Sequence, residues 1–160
     1  MNNNLQIDLL ADHPEAIPIL TAWFEREWTP YYGPEGPGDA ESDLRQFCNQ
    51  TELPIAFVAI LDGEICGTAA LKQESVTTHP HLSPWLAALL VTPEFRRQGI
   101  AERLIEAIEK KAKELGFHTI YVGTGEGSGT PESALRKRDW EFMEKRPYFV
   151  SDVSIFRKTL

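Results

Sequence analysis

The sequence predicts a mixed α/β fold, and three observations carry that reading. Pro54–Leu61 and Ile65–Gln73 are apolar, strand-like runs joined by Asp62-Gly63-Glu64, a tight hairpin turn. Pro84–Val91 is a nearly continuous apolar strand that leads through a turn into the helical pattern of Ile100–Leu115. Trp140–Met143 and Val150–Arg157 end the chain as two further strands, so helices alternate with strands in the middle and hairpins flank them.

Each element has a local cause. Leu5–Leu9 alternates as a short first strand. Asp12-His13-Pro14-Glu15 reads as a capping box with an early proline. It precedes Ile17, Leu20, Trp23, Phe24 and Trp28, which lie at helical spacing. Trp28–Gly38 holds three prolines, three glycines and two tyrosines, and predicts a loop whose aromatics either pack on the core or line a pocket. Asp39–Asn49 reads as a short helix, and Thr77–His81 begins a loop.

The helix over 100–115 is the clearest. Ala101, Leu104, Ile105, Ile108, Ala112 and Leu115 form one apolar stripe. Glu106/Lys110 and Glu109/Lys113 read as i,i+4 pairs on the other side, and Gly116 as the C-terminal cap. Thr119–Val122 is a strand, and Gly123–Gly129 a glycine-rich loop. Thr130 then caps a helix with Pro131 at its first position, running to about Arg138.

Composition narrows the function. The chain has 160 residues, 42% hydrophobic and 25% charged, which is neither disordered nor fibrous and suits a single domain over 1–160. Net charge −8 argues against a nucleic-acid partner, because phosphates call for surplus Lys and Arg. Residues 1–95 hold three basic and fourteen acidic side chains, whereas 96–160 hold thirteen and ten. That asymmetry reads either as two surfaces with different partners or as solubility alone. Cys48 and Cys66 make no disulfide framework, and Cys66 reads as a small core residue. The first eight residues have neither the basic nor the apolar segment of a secretory leader, and no apolar stretch is long enough for a membrane span. The expectation is a cytoplasmic protein with no membrane partner.

The chemistry concentrates in Thr92-Pro93-Glu94-Phe95-Arg96-Arg97-Gln98-Gly99-Ile100-Ala101, between strand and helix. A helix N-terminus presents unpaired N–H groups, Gly99 has no side chain to hold an anion away, and Arg96 and Arg97 add positive charge. This describes an anion site suited to pyrophosphate, or an ordinary turn with solvated arginines.

Here the sequence resembles a known family. Arg96-Arg97-Gln98-Gly99-Ile100-Ala101 matches the pattern Arg/Gln-x-x-Gly-x-Gly/Ala of the GNAT superfamily of acyl-CoA-dependent N-acyltransferases. The strand ending Val91-Thr92-Pro93-Glu94-Phe95 and the later Trp140-Glu141-Phe142 fall in that superfamily's order, and the resemblance is strongest over 84–142. It implies a mixed, mostly antiparallel central sheet, splayed near the middle and flanked by about four helices. It implies that main-chain N–H groups of Arg97, Gln98, Gly99, Ile100, Ala101 and Glu102, with the charge of Arg96, hold the pyrophosphate of acetyl-CoA as cosubstrate. Main-chain groups of Leu89, Leu90 and Val91 would pair with its pantetheine arm, and an N–H there would stabilise the thioester oxyanion.

The resemblance further implies direct attack of an amine on the thioester, a base for its proton, and an acid for the thiolate. The tyrosine that often supplies the acid aligns with Leu135, and Asp139 replaces a glycine. Tyr148 is the substitute acid considered. Candidate bases are Glu27, His79, His81 and Glu126, each in or beside a loop, with a solvated surface role as the plain alternative. His79 and His81 lack a third ligand at metal-binding spacing, so no metal is expected. The Gly123–Gly129 loop fails the Gly-x-Gly-x-x-Gly spacing at Ser128, which is read as a coenzyme A contact or part of a plain connection.

The sequence thus reads as an N-acetyltransferase for a primary amine, a small molecule or a peptide, as monomer or homodimer. The alternatives are a non-catalytic acyl-CoA-binding module and a nucleotide-binding module using 123–129. The charge split suggests an anionic donor held by Arg96, Arg97 and Arg103 and a cationic acceptor steered by the acidic first half.

Overall fold

The computed structural model describes residues 4–125, 129–149 and 151–160. Seven strands form one sheet: β1 (Leu5–Leu9), β2 (Ile55–Leu61), β3 (Glu64–Lys72), β4 (Trp85–Val91), β5 (Thr119–Gly125), β6 (Glu141–Tyr148) and β7 (Ser151–Thr159). Their order is β1-β2-β3-β4-β5-β7-β6, and every neighbouring pair is antiparallel except β4 with β5.

Among the described residues there are five α-helices, in keeping with the four or so expected: α1 (Ile17–Glu27), α2 (Thr29–Tyr32), α3 (Ala40–Gln46), α4 (Ile100–Glu114) and α5 (Glu132–Lys137). None is long and apolar enough to cross a membrane. One of them, α2, lies where a loop was expected. Pro30 sits in its first turn, where the missing N–H costs no helical bond, and Tyr32 Oη donates to Asp43 Oδ2 at 2.7 Å, fastening the turn to α3.

All seven residues of β2 are buried, because the sheet is covered on both faces. Ile55, Phe57, Ala59 and Leu61 join α4 and α5 residues such as Leu104, Ile108 and Leu135. Ala56, Val58 and Ile60 join Leu20 and Phe24 of α1 and Leu44 of α3. Cys66 is fully buried and free, and burial pushes its thiol up to about 11, as befits a packing residue.

Two turns fit their residues. Asp62 (φ 50°) and Gly63 (φ 83°) are both left-handed, as a two-residue hairpin between twisted strands demands. Gly116 (φ 94°) ends α4, with Phe117 N–H reaching Ala112 O at 3.0 Å.

Three local expectations are corrected. Asp12 caps no helix; it ends a 3-10 turn, and His13 is instead held between Glu15 Oε2 (2.9 Å) and Asp8 Oδ2 (2.8 Å). Pro131, not Thr130, is the N-cap of α5, which starts at Glu132. Gly123 and Gly125 lie within β5 rather than in a loop. A Cβ on Gly123 would fall 2.6 Å from Val76 Cγ2, and one on Gly125 would fall 2.5 Å from the Asp152 carbonyl. These two glycines serve close packing within the strand.

Candidate active site

The site begins where β4 and β5 part. Among the described residues, only Trp85 with Tyr121 and Leu86 with Val122 are paired between them. Between Thr68 and Ala70 of β3 the register against β4 shifts, so that β4 passes from Leu90 to Ala87 with one extra residue. Ala88 has φ 53°, a left-handed conformation that a side-chain-bearing residue adopts only where the surroundings enforce it. This bulge bends β4 and opens the seam beside its last residues.

The segment after β4 is built to face an anion. Arg96 Nε donates to the Val91 carbonyl at 2.9 Å, folding the turn back on the strand. Arg97 (φ 66°) and Gly99 (φ 78°) are both left-handed, and Gly99 is the N-cap of α4. Gly99 offers no capping side chain, and a Cβ placed on it would meet nothing within 4 Å. The first turn of α4 thus has no capping side chain from Gly99 and carries the positive end of the helix dipole.

That space is a cleft of about 570 Å³. On one side lie Leu90 and Val91 with Arg96, Arg97 and the start of α4 from Gly99 to Glu102. From α5 and the segment before it come Gly129, Pro131, Ser133, Ala134 and Lys137, and Glu27 lines it beside Arg96. Donors without a competing side chain, two arginines and a mixed polar and apolar lining suit a phosphorylated, elongated ligand.

Most expected cofactor residues meet here. Leu90, Val91, Arg96, Arg97, Gly99, Ile100, Ala101 and Glu102 line the cleft. Gln98 belongs to the same turn without lining it. Leu89 is buried, and its carbonyl is in such close contact with Gly129 that a Cβ there would collide with it. Ser128 lies outside the described residues. Arg103 is a correction: it pairs with Glu106 at 3.9 Å and lines a different groove with Ile7 and Asp8 of β1. On the helix it stands about 100° round from Glu102.

The candidate acid–base residues separate. Glu27 is in the cleft, 3.8 Å from Arg96 Nη2. His79 is buried, with Nδ1 2.8 Å from Thr78 Oγ1 and Nε2 2.6 Å from Glu144 Oε1, while His81 stacks on it at 5.9 Å. Tyr148 Oη accepts from Thr77 N–H at 3.1 Å. Neither His79 nor Tyr148 lines the cleft; together they tie the β3–β4 connection to β6. Glu126 lies outside the described residues. Leu135 is fully buried, so α5 presents Ser133, Ala134 and Lys137 to the cleft and no tyrosine. Asp139 takes φ 67°, the conformation for which glycine is commonest and which Asp tolerates.

Sequence reasoning missed Lys137, whose Nζ lies 3.5 Å from Glu102 Oε1 across the cleft mouth. Its only sequence signal is its place on the last turn of a short helix. It also missed Gly129, which stands out only as the last of a glycine run.

Residues 19–136 match the family model described as the Acetyltransferase (GNAT) family, and the chain belongs to that family. No curated protein matches it. Solved structures match along nearly its whole length. An aminoglycoside 6′-acetyltransferase type Ii is 20% identical, with 96% of each chain covered and a TM-score of 0.75. A phosphinothricin acetyltransferase from Sinorhizobium meliloti, in complex with acetyl-CoA, is 20% identical over 100% of this chain and 89% of its own, with a TM-score of 0.74. An N-acetyltransferase from Staphylococcus aureus Mu50 is 15% identical over 98% and 99%, with a TM-score of 0.76. At such identities the likeness is one of fold: a mixed, mostly antiparallel seven-stranded sheet with five helices.

Proposed function

We propose that this chain, as one domain over residues 1–160, is an N-acetyltransferase that moves an acetyl group from acetyl-CoA to a primary amine. The observation that carries the reading is Gly99, left-handed at the N-terminus of α4 with open space where a side chain would stand, at the head of a cleft reaching the bulged end of β4. Main-chain N–H groups from Arg97 to Glu102 hold the pyrophosphate, and Arg97 and Lys137 add charge at the same mouth. Main-chain groups of Leu90 and Val91 meet the pantetheine arm, and Leu89 joins them when its contact with Gly129 gives way.

When bound, acetyl-CoA supplies an activated thioester that an amine attacks directly. The chain's part is to hold the two together and to take the amine's proton. Among the described candidates Glu27 is the carboxylate placed for that, since it alone lines the cleft, whereas both His79 ring nitrogens already have partners. With Leu135 buried, no tyrosine of α5 protonates the thiolate, and a thiolate is a tolerable leaving group without one. Amine-bearing small molecules and peptides fit this chemistry equally.

The buried Leu135 also favours a second reading, a non-catalytic acyl-CoA-binding module. Calorimetric titration tests both: the protein binds acetyl-CoA and not NAD or ATP. The reverse preference overturns both. Thiol release from acetyl-CoA across an amine panel then separates enzyme from binding module.

A further inference from the structure

Glu109 is a carboxylate that the helical pattern places on the solvated side of α4, paired with Lys113. In the fold it is buried, 7% exposed, and its ion-pair partners come from beyond α4 rather than from Lys113. Its Oε1 accepts from Arg138 Nη2 at 2.8 Å and from Lys158 Nζ at 2.9 Å. Its Oε2 accepts from Arg138 Nε at 3.1 Å and Trp140 Nε1 at 2.8 Å. One carboxylate thus gathers the turn after α5, the start of β6 and the strand β7 onto α4.

We propose that Glu109 is a positioning residue for acetyl-CoA: by fixing Arg138 and Trp140 it sets where α5, the far wall of the cleft, stands against the N-terminus of α4. The inference rests on the function proposed above. A helix of six residues does not hold itself, and α5 buries only Ala134 and Leu135. Its placement depends on what anchors its ends. Lys137 lines the cleft and meets Glu102, and the next residue, Arg138, meets Glu106 at 3.8 Å and Glu109. Glu102, Glu106 and Glu109 share one flank of α4, so the two helices are joined by three carboxylate rungs. The Glu102 and Glu106 rungs are exposed and long, and contribute little. The Glu109 rung is buried and two-pronged, and its loss takes the close acceptor from two partly buried cations and an indole N–H. The far wall then shifts although nothing that touches the ligand has changed.

The test is Glu109→Gln, with Arg138→Lys and Lys158→Met as milder companions, because Lys keeps the charge at 138 without the fork. The dissociation constant for acetyl-CoA is measured by calorimetry well below each variant's melting temperature, so that only folded protein is compared. Glu109→Gln raises it on the order of tenfold and raises the KM for acetyl-CoA alike, while kcat at saturating acetyl-CoA stays near wild type. Arg138→Lys and Lys158→Met give smaller rises of the same kind. Arg157→Gln, which removes an exposed 3.8 Å pair with Glu141, changes neither quantity. Folded Glu109→Gln with wild-type affinity overturns the inference. If that variant does not fold, unchanged affinity in both companions overturns it. Wild-type protein that fails to bind acetyl-CoA overturns the functional reading itself, a result distinct from these.

Discussion

The guanidinium of Arg96 donates from Nε to the carbonyl of Val91, five residues back, at 2.9 Å. That one bond returns the turn after β4 onto the strand's last residue. It aims the left-handed pair Arg97 and Gly99 at the cleft and leaves Nη2 3.8 Å from Glu27. The first arginine of the motif is thus a brace as much as a charge.

If the brace matters, Arg96→Lys is not conservative. Lysine keeps the charge and lacks the planar fork that reaches Val91 and Glu27 together. One hydrogen bond to a charged donor is worth about 1.5–3 kcal/mol, so Arg96→Lys and Arg96→Met both raise the KM for acetyl-CoA roughly tenfold or more. Steady-state kinetics check this, and full rescue by lysine would assign Arg96 a purely electrostatic role.

Gly99 separates backbone strain from site chemistry. At φ 78° any L-residue is strained, by roughly 1–2 kcal/mol, although the space beyond is open. Gly99→Ala therefore lowers the melting temperature and still binds acetyl-CoA. Gly99→Glu abolishes binding, because its carboxylate stands where an anion must sit. Calorimetry on the two variants decides it, and retained affinity in Gly99→Glu refutes the site.

His13 predicts a pH dependence of stability far from the cleft. Hydrogen bonds donated by its ring to the Glu15 carboxylate first, and to Asp8 next, hold its pKa above the usual 6.5, against an opposing effect of burial. A pKa raised on folding stabilises fully below the unfolded value and is lost as pH rises through the folded one. His13 is partly exposed, so the contribution is at most about 1 kcal/mol. The melting temperature of His13→Asn falls short of wild type more below about pH 6 than above about pH 8. An equal shortfall at both assigns His13 no titrating role.

Much of the fold was legible because it rests on local pattern. The stripe on α4, the Asp62-Gly63 turn and the apolar run of β4 each follow from period, turn chemistry or burial on two faces. The thirteen basic side chains of residues 96–160 were legible as a count, not as a site. Arg97 and Lys137 reach the cleft, Arg103 turns to the β1 groove, and Arg138 and Lys158 go to Glu109. Which partner a charge finds is a matter of distance in space, and spacing along the chain reports only neighbours on the same element.

By itself, then, the sequence determined the order of elements, the strand–turn–helix unit at Gly99, and the family pattern of residues 96–101. Short-range stereochemistry writes those directly: glycine where φ is positive, apolar residues every third or fourth place along a helix. The tertiary structure alone decided that Glu109 is a buried anchor rather than a surface partner of Lys113, and that Glu27 stands in the cleft while His79 and Tyr148 do not. Those outcomes depend on how α4 is rotated against β7 and how far β4 parts from β5. Both are set by packing summed over the whole core, which no single stretch of sequence contains.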